Sequence, residues 1–300
     1  MYQQILSRLA TSLQKPLLEP RRLFHGRGHM FEGLEHVNID FFPPVLLITG
    51  YKPIVELQAL IDAIKALDVS NQIKSVVCQQ RSSKGAPAEW MWGEKYEVLT
   101  VEENGLKFEV QPGQHQNAGL FLDMRPLRTW LKKYSEGKNV LNLFSYTCSL
   151  SVAALAGGAR QVVSVDMSKP SINWGKRNHE LNNHNPNAVR SLPLNVFKAW
   201  KKIEKGAPYD LVIIDPPTRQ RGSFDAEKDY VQVLKKLDRL TSKNSEVIAT
   251  LNSPYLGLDH LPNLMQRYQS KFRLLGEFPA SEEFEDKYPD RALKIFHFKH

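Results

Sequence analysis

The chain has 300 residues, 42% apolar and 24% charged, proportions of a soluble globular protein with one large domain, or one plus a small companion. No apolar run nears the roughly 18 residues that span a bilayer, and two cysteines, Cys78 and Cys148, exclude a disulfide framework. The formal charge is +8, and it is placed unevenly. Residues 1–115 hold 12 Lys and Arg against 13 Asp and Glu; residues 116–300 hold 28 against 19.

The first residues, MYQQILSRLATSLQ, lack the basic-then-apolar pattern of an export signal, so a cytoplasmic chain is expected. Met1–Leu18 reads as a helix, with Ile5, Leu6, Leu9 and Leu13 on one face and Pro16 and Pro20 to stop it. Arg21–Met30, basic and broken by glycines, reads as a loop. His25, His29 and His36 have no cysteines or paired acids at ligand spacing, so no metal site is expected. Phe41–Tyr51 reads as a strand preceded by two prolines, Ile54–Leu67 as a helix and Ile73–Cys78 as a strand. That alternation predicts a small α/β domain over residues 1–95. Trp90-Met91-Trp92 has the look of a base-stacking platform, but a core or a seam between domains is the favoured reading. Asn104-Gly105 between Tyr96–Val101 and Leu106–Val110 predicts a β-hairpin, assigned to a connector of residues 96–115.

Residues 116–300 make the large domain. Val140–Phe144 is an apolar run suited to a strand buried on both faces. A polar turn follows, then the small apolar helix SLSVAALA, a Gly157-Gly158 stop and a second strand, Gln161–Val165, closed by Asp166. Strand, loop, helix, strand and acid form one βαβ unit, and the acid falls where nucleoside-binding sheets hold ribose hydroxyls. The loop Phe144–Ser149 contains no glycine, whereas a dinucleotide pyrophosphate needs close backbone N–H groups. S-adenosylmethionine, which has no phosphate, suits Ser145, Tyr146 and Thr147 better; on this stretch alone, an α/β sheet that binds something else, or nothing, stands nearly level with it. Ser168 caps a helix running to Asn182, and Arg190–Leu194, Leu211–Ile214, Glu246–Leu251, Phe272–Phe278 and Leu293–Phe298 supply further strands. Leu211–Ile214 ends in Asp215-Pro216-Pro217-Thr218, where two prolines fix the chain and aim carbonyls at the cleft.

GLFLDMRPLR (119–128), LNLFSYTCSLSV (141–152), VDMSKPSINW (165–174) and DPPT (215–218) together resemble the large-subunit ribosomal RNA methyltransferases of the guanine-N7 and cytosine-C5 type. The resemblance covers roughly Leu106–Thr250 and is nearest to the guanine-N7 branch. It implies a class I methyltransferase: an α/β, Rossmann-like seven-stranded sheet with the last strand antiparallel, preceded here by the smaller α/β domain. It implies S-adenosylmethionine as cofactor and an rRNA substrate; the residues themselves lead to the expectation of neither metal nor membrane. The cofactor positions carried over are Phe121, Asp123, Arg125, Asn142, Phe144, Ser145, Tyr146, Thr147, Asp166, Met167, Asn195, Val196, Phe197 and Asp215. Phe121, Asp123 and Arg125 would stand near the methionine end; the bland alternative makes Asp123 a helix-start carboxylate and Arg125 a surface base. The catalytic positions would be Asp215, Pro216 and Pro217. The run after DPPT, Arg219-Gln220-Arg221-Gly222, is more basic than the family pattern leads one to expect; Arg219 and Arg221 either hold RNA phosphates or belong to a solvated loop.

Two departures from the family stand out. Asn195 replaces the usual acid beside the adenine amine, although its side-chain oxygen can still accept that N–H. Cys148 stands where glycine is common, so its backbone must avoid positive φ or carry strain. Methylation at cytosine C5 needs a nucleophile, usually cysteine, and Asn252-Ser253-Pro254 occupies the place where the C5 branch carries one. Guanine N7 attacks with its own lone pair, so N-methylation of a base is expected. Alternatives are a C5 enzyme, a methyltransferase of a protein or small molecule, and a non-catalytic RNA-binding protein.

Overall fold

The computed structural model describes residues 2–220 and 224–300. The chain forms two compact units, Met1–Arg125 with Ser281–Tyr288 and Pro126–Ala280 with Pro289–His300. This division falls later than residue 116 and returns the 281–288 segment to the first unit.

In the first unit, α1 (Gln3–Leu13) leads into β1 (Arg21–His25), β2 (Val37–Phe42), β3 (Val45–Gly50), α2 (Leu57–Leu67), β4 (Ser75–Gln80) and β5 (Ala88–Trp92). The strands lie in that order in one sheet; β3 and β4 are parallel, with α2 as their crossover, and the other pairs are antiparallel. Ile5, Leu9 and Leu13 recur at helical spacing and join Leu60, Ile61 and Ile64 of α2 against Val37, Ile39, Phe41, Leu46 and Ile48. Two expectations are corrected here. Arg21–Met30 is not all loop: its first half is β1, in which Leu23 and Phe24 are buried. There Arg22, opposite Asp40 on β2, donates two hydrogen bonds to it at 2.7 and 2.9 Å. The fork neutralises the charge that made the stretch read as solvated. Phe41–Tyr51 is not one strand but the meeting of β2 and β3, because Pro43-Pro44 cannot donate to a ladder and turns the chain.

The Trp90-Met91-Trp92 segment is β5; Met91 and Trp92 pack on the edge of the apolar core, and Lys65 stands 4.6 Å from the Trp92 ring centroid. The predicted hairpin is β6 (Leu99–Glu103) and β7 (Leu106–Val110). Its turn residues Asn104 and Gly105 both take positive φ, 52° and 71°, as a type I′ turn requires.

The second unit follows from α3 (Arg125–Tyr134), whose first residue closes the first unit. It contains β8 (Asn139–Leu143), α4 (Ser149–Ala156), β9 (Gln161–Asp166), α5 (Lys169–Leu181), β10 (Val189–Pro193), α6 (Val196–Glu204) and β11 (Tyr209–Ile214). After these come the short pair β12 (Arg219–Gln220) and β13 (Phe224–Asp225), then α7 (Ala226–Leu234), α8 (Leu237–Leu240), β14 (Thr241–Leu251), α9 (His260–Tyr268), β15 (Arg273–Glu277) and β16 (Lys294–Lys299). The sheet order is β10-β9-β8-β11-β14-β16-β15. The first five strands are parallel, and β16 runs antiparallel to both neighbours. Leu141, Leu143, Val165, Val212, Ile214, Val247 and Ala249 are all buried in one core, which is why these strands read as continuous apolar runs.

Candidate active site

Strand register sets the site. Leu143 on β8 pairs with Val165 on β9 and with Ile214 on β11, and Ile214 pairs with Ala249 on β14. The next residue of each strand, Phe144, Asp166, Asp215 and Thr250, therefore emerges at one level. The chain leaves β8 toward β9 and β10 on one side and adds β11 on the other, so this is the point where the sheet reverses its winding, the usual crevice for ligands.

Asp166 is held from two directions. Its Oδ2 accepts the Tyr146 N–H at 2.9 Å and its Oδ1 the Ser168 N–H at 2.8 Å, leaving each oxygen a lone pair for a ribose hydroxyl. Burial pushes its carboxyl up from the ordinary value, and the Ser168 and Tyr146 N–H groups pull against that. Met167 beside it is exposed. The loop above β8 spends its own N–H groups internally: Ser145 on Val165 at 3.0 Å, Tyr146 on Asp166, and Cys148 on Ser145 at 2.8 Å. That is the opposite of a pyrophosphate cradle, and it fits a ligand without phosphates.

Phe144, Tyr146 and Cys148 take φ of 61°, 46° and 62°, a left-handed region that costs a side-chain-bearing residue about 1–2 kcal/mol each. The strain anticipated at Cys148 is present. Its thiol is fully buried, and burial pushes it up to about 11. Room for it comes from Gly175 in α5, where a Cβ would stand 2.3 Å from the Cys148 sulfur. Asn178, one helical turn on, donates to the Thr147 carbonyl at 2.9 Å.

Several expected cofactor residues sit deeper than anticipated. Asn142 is buried under the loop, donating to Ser151 Oγ at 2.9 Å, which in turn meets Ser164 at 2.8 Å. Ser145 and Thr147 are buried as well, and Val196 belongs to the core. Asn195 is the N-cap of α6: its Oδ1 accepts the Phe197 N–H at 2.9 Å. The residue that replaces an acid thus has a structural task, with one lone pair left over. The rings of Phe144 and Phe197 both pack on Phe224, at centroid distances of 5.1 and 6.2 Å.

On the acceptor side, the Asp215 N–H reaches the Leu143 carbonyl at 3.4 Å, and Thr250 donates to Asp215 Oδ1 at 2.6 Å. Tyr230 donates to the Thr250 carbonyl at 2.8 Å and stands 3.3 Å from that of Ile214. Burial, then the nearby Asp215 charge, raises its phenol well above the ordinary value, so it stays a donor. Thr218 hydrogen-bonds the Asn252 carbonyl. Pro216 is buried and Pro217 half-buried. Thr250, Tyr230, Phe224 and Gly175 carry no signal of their own in the sequence; each acts through a partner remote in the chain. Arg219 is exposed and lies 3.7 Å from Asp225; Arg221 lies outside the described residues.

Phe121, Asp123 and Arg125 belong to the first unit. Arg125 donates to Glu19 at 3.0 Å and to the Pro20 carbonyl, and pairs with Glu103 at 3.2 Å. It is neither a bare surface base nor exposed, but an anchor for the start of α3. Phe121 and Asp123 line a cavity within the first unit. Among the described residues, no three His, Cys, Asp or Glu gather as a metal site, and no helix is long and apolar enough to cross a membrane.

The strand order and the acid at the end of β9 define a class I methyltransferase fold. The profile of S-adenosylmethionine-dependent methyltransferases matches residues 21–299, and the chain belongs to that family. It is 31% identical over 278 residues to ribosomal RNA large subunit methyltransferase K/L of Hahella chejuensis, covering 88% of this chain and 38% of that one. It is 30% identical over 279 residues to YwbD of Bacillus subtilis, provisionally named a ribosomal RNA large subunit methyltransferase, covering 88% of this chain and 69% of that one. The chain thus spans well under half of the Hahella relative. Among solved structures it is similar to SMU.776, a methyltransferase by provisional name, solved with SAH bound. The TM-score is 0.85 and the identity 27%, over 100% of this chain and 80% of that one.

Proposed function

We propose that this chain methylates a ring nitrogen of a ribosomal RNA base, with guanine N7 the leading candidate. The relatives named as rRNA methyltransferases support the substrate class, as does the basic excess of residues 116–300. Such a substrate puts the chain in the cytoplasm. The observation that carries the nitrogen reading concerns the thiols. Cys78 and Cys148 are both buried, and burial pushes each up to about 11, so neither serves as the nucleophile that C5 methylation requires.

S-adenosylmethionine supplies an electrophilic methyl group on a sulfonium. In this reading Asp166 accepts the ribose hydroxyls, while Asn195, Val196 and Phe197 border the adenine. The Asp215 and Pro216 carbonyls hold the flat acceptor with its lone pair in line. As the methyl moves, positive charge grows on the base, and the Asp215 carboxylate, fixed by Thr250, stabilises it. Mass spectrometry of rRNA nucleosides from cells with and without the gene tests this: one N-methylated base should disappear. A covalent adduct trapped on 5-fluorocytosine-substituted RNA would overturn the nitrogen assignment.

A further inference from the structure

The first unit has a sheet with two unlike faces. Val37, Ile39, Phe41, Leu46 and Ile48 point into the apolar core. The alternate residues carry Asn38 opposite Thr49, and Asp40 opposite Leu47. Polar residues on the face away from the helices would ordinarily meet solvent, yet Asn38, Asp40 and Thr49 are only 3%, 7% and 5% exposed. The face is covered by Arg22, Tyr51, Arg81 and the segment from Gln116 to Asp123, and together they bound a cavity of about 180 Å³. Arg81 secures that segment through the Asn117 side chain at 2.7 Å and the Gln116 carbonyl.

Charge and size restrict what the cavity takes. Its lining holds two guanidiniums, Arg22 and Arg81, and two carboxylates, Asp40 and Asp123. The balance offers no net attraction to a phosphate, but donors and acceptors stand side by side, as the edge of a heterocycle demands. The volume is below the roughly 300 Å³ at which pockets for drug-sized ligands begin, so one ring system fits better than a whole nucleotide. Positive charge is placed outside. Arg27 is exposed, and its guanidinium lies 4.5 Å from the Tyr51 ring centroid, with that of Arg81 at 5.8 Å from the same ring. A phosphate next to the bound base would meet Arg27.

We infer that this cavity is a subsite for one unstacked base of the RNA substrate. The inference rests on the RNA reading above. Its rival is the amino-acid end of S-adenosylmethionine, which the placement of Phe121 and Asp123 in the sequence reading favours. The test uses the full chain and a 23S rRNA fragment carrying 4-thiouridine or 6-thioguanosine, with Thr49→Val and Tyr51→Phe as shape-preserving variants. Photocrosslinks should map to peptides containing residues 38–51 or 116–123. Each variant should bind RNA about 3- to 10-fold more weakly, the scale of one lost hydrogen bond, with S-adenosylmethionine affinity unchanged. Wild-type methylation of the fragment with crosslinks elsewhere and unaltered variant affinity would overturn the subsite and leave the RNA reading intact. Loss of S-adenosylmethionine affinity alone would assign the cavity to the cofactor and overturn the inference. A wild-type chain that neither retains nor methylates rRNA would remove both.

Discussion

Cys148 and Gly175 form a coupled pair, and the coupling has a calculable size. Replacing a helical glycine by alanine ordinarily stabilises by about 1 kcal/mol. At Gly175 the new Cβ would stand 2.3 Å from the Cys148 sulfur and 2.8 Å from its Cβ, and overpacking of that kind costs about 1–3 kcal/mol. Gly175→Ala alone should therefore destabilise. Cys148→Gly removes both obstructing atoms and relieves φ of 62°, worth about 1–2 kcal/mol. Against that stand a lost buried thiol and the extra freedom of glycine in the unfolded chain, so its net effect should fall within about 1 kcal/mol of zero. In the double variant the nearest obstruction left is the Thr147 carbonyl carbon at 3.3 Å, and the alanine should recover most of its helical gain of about 1 kcal/mol. A double-mutant cycle by urea unfolding should return a coupling of about 1–3 kcal/mol, the overpacking cost itself. Additivity within about 0.5 kcal/mol would show that the backbone relaxes freely there, and the packing argument would fail.

Asp166→Ala should weaken S-adenosylmethionine by about 1.5–3 kcal/mol, the scale of charge-assisted hydrogen bonds; unchanged calorimetric affinity would remove it from the site. Thr250→Val removes the hydrogen bond to Asp215 Oδ1 and should lower kcat with little change in cofactor affinity, whereas an altered affinity with kcat intact would contradict the proposed role. Substituting both Arg219 and Arg221 by Ala should reduce the log–log salt slope of rRNA binding by about 1–2, and an unchanged slope takes this loop off the phosphate path. Burial alone would raise Glu246, but His297 at 2.6 Å and Lys138 at 2.8 Å outweigh it and hold the carboxyl at about 2. A depressed folded value means stability present above the ordinary 4.5 and lost as pH falls toward 2. With solvent screening this half-buried group, Glu246→Gln should cost about 1–2 kcal/mol at neutral pH, and its deficit should shrink in acid; a deficit constant from pH 6 to 3 would refute the linkage.

The parallel sheet was legible because its strands are buried on both faces and read as uninterrupted apolar runs, and the hairpin because Asn104-Gly105 can take positive φ. The positions of Asp166 and Asp215 at strand ends followed from the same runs. What stayed hidden depends on pairing across the chain. β1 reads as loop until Asp40 neutralises Arg22; Thr250 has no meaning until β14 lies beside β11. Asn142 on β8 and Thr147 in the polar turn look like ligand residues, and only the packing of α4 and α5 shows them buried. The capping role of Asn195 is legible in the sequence, since an Asn before an apolar helix is a frequent N-cap.

The eight residues Ser281–Tyr288 lie between β15 and β16, yet they belong to the first unit. There Glu283 accepts the Arg22 N–H at 3.1 Å, Phe284 lies 4.6 Å from the Arg22 guanidinium, and the Lys287 N–H reaches the Gly28 carbonyl at 2.7 Å. During synthesis, domains usually fold from the N-terminus as they emerge. This one cannot finish that way: the partners of Arg22 and Gly28 are made more than 250 residues later. The first unit waits, incomplete at β1, until the second is nearly translated. A nascent chain stalled before residue 281 should leave β1 open to protease, and one released after 288 should not.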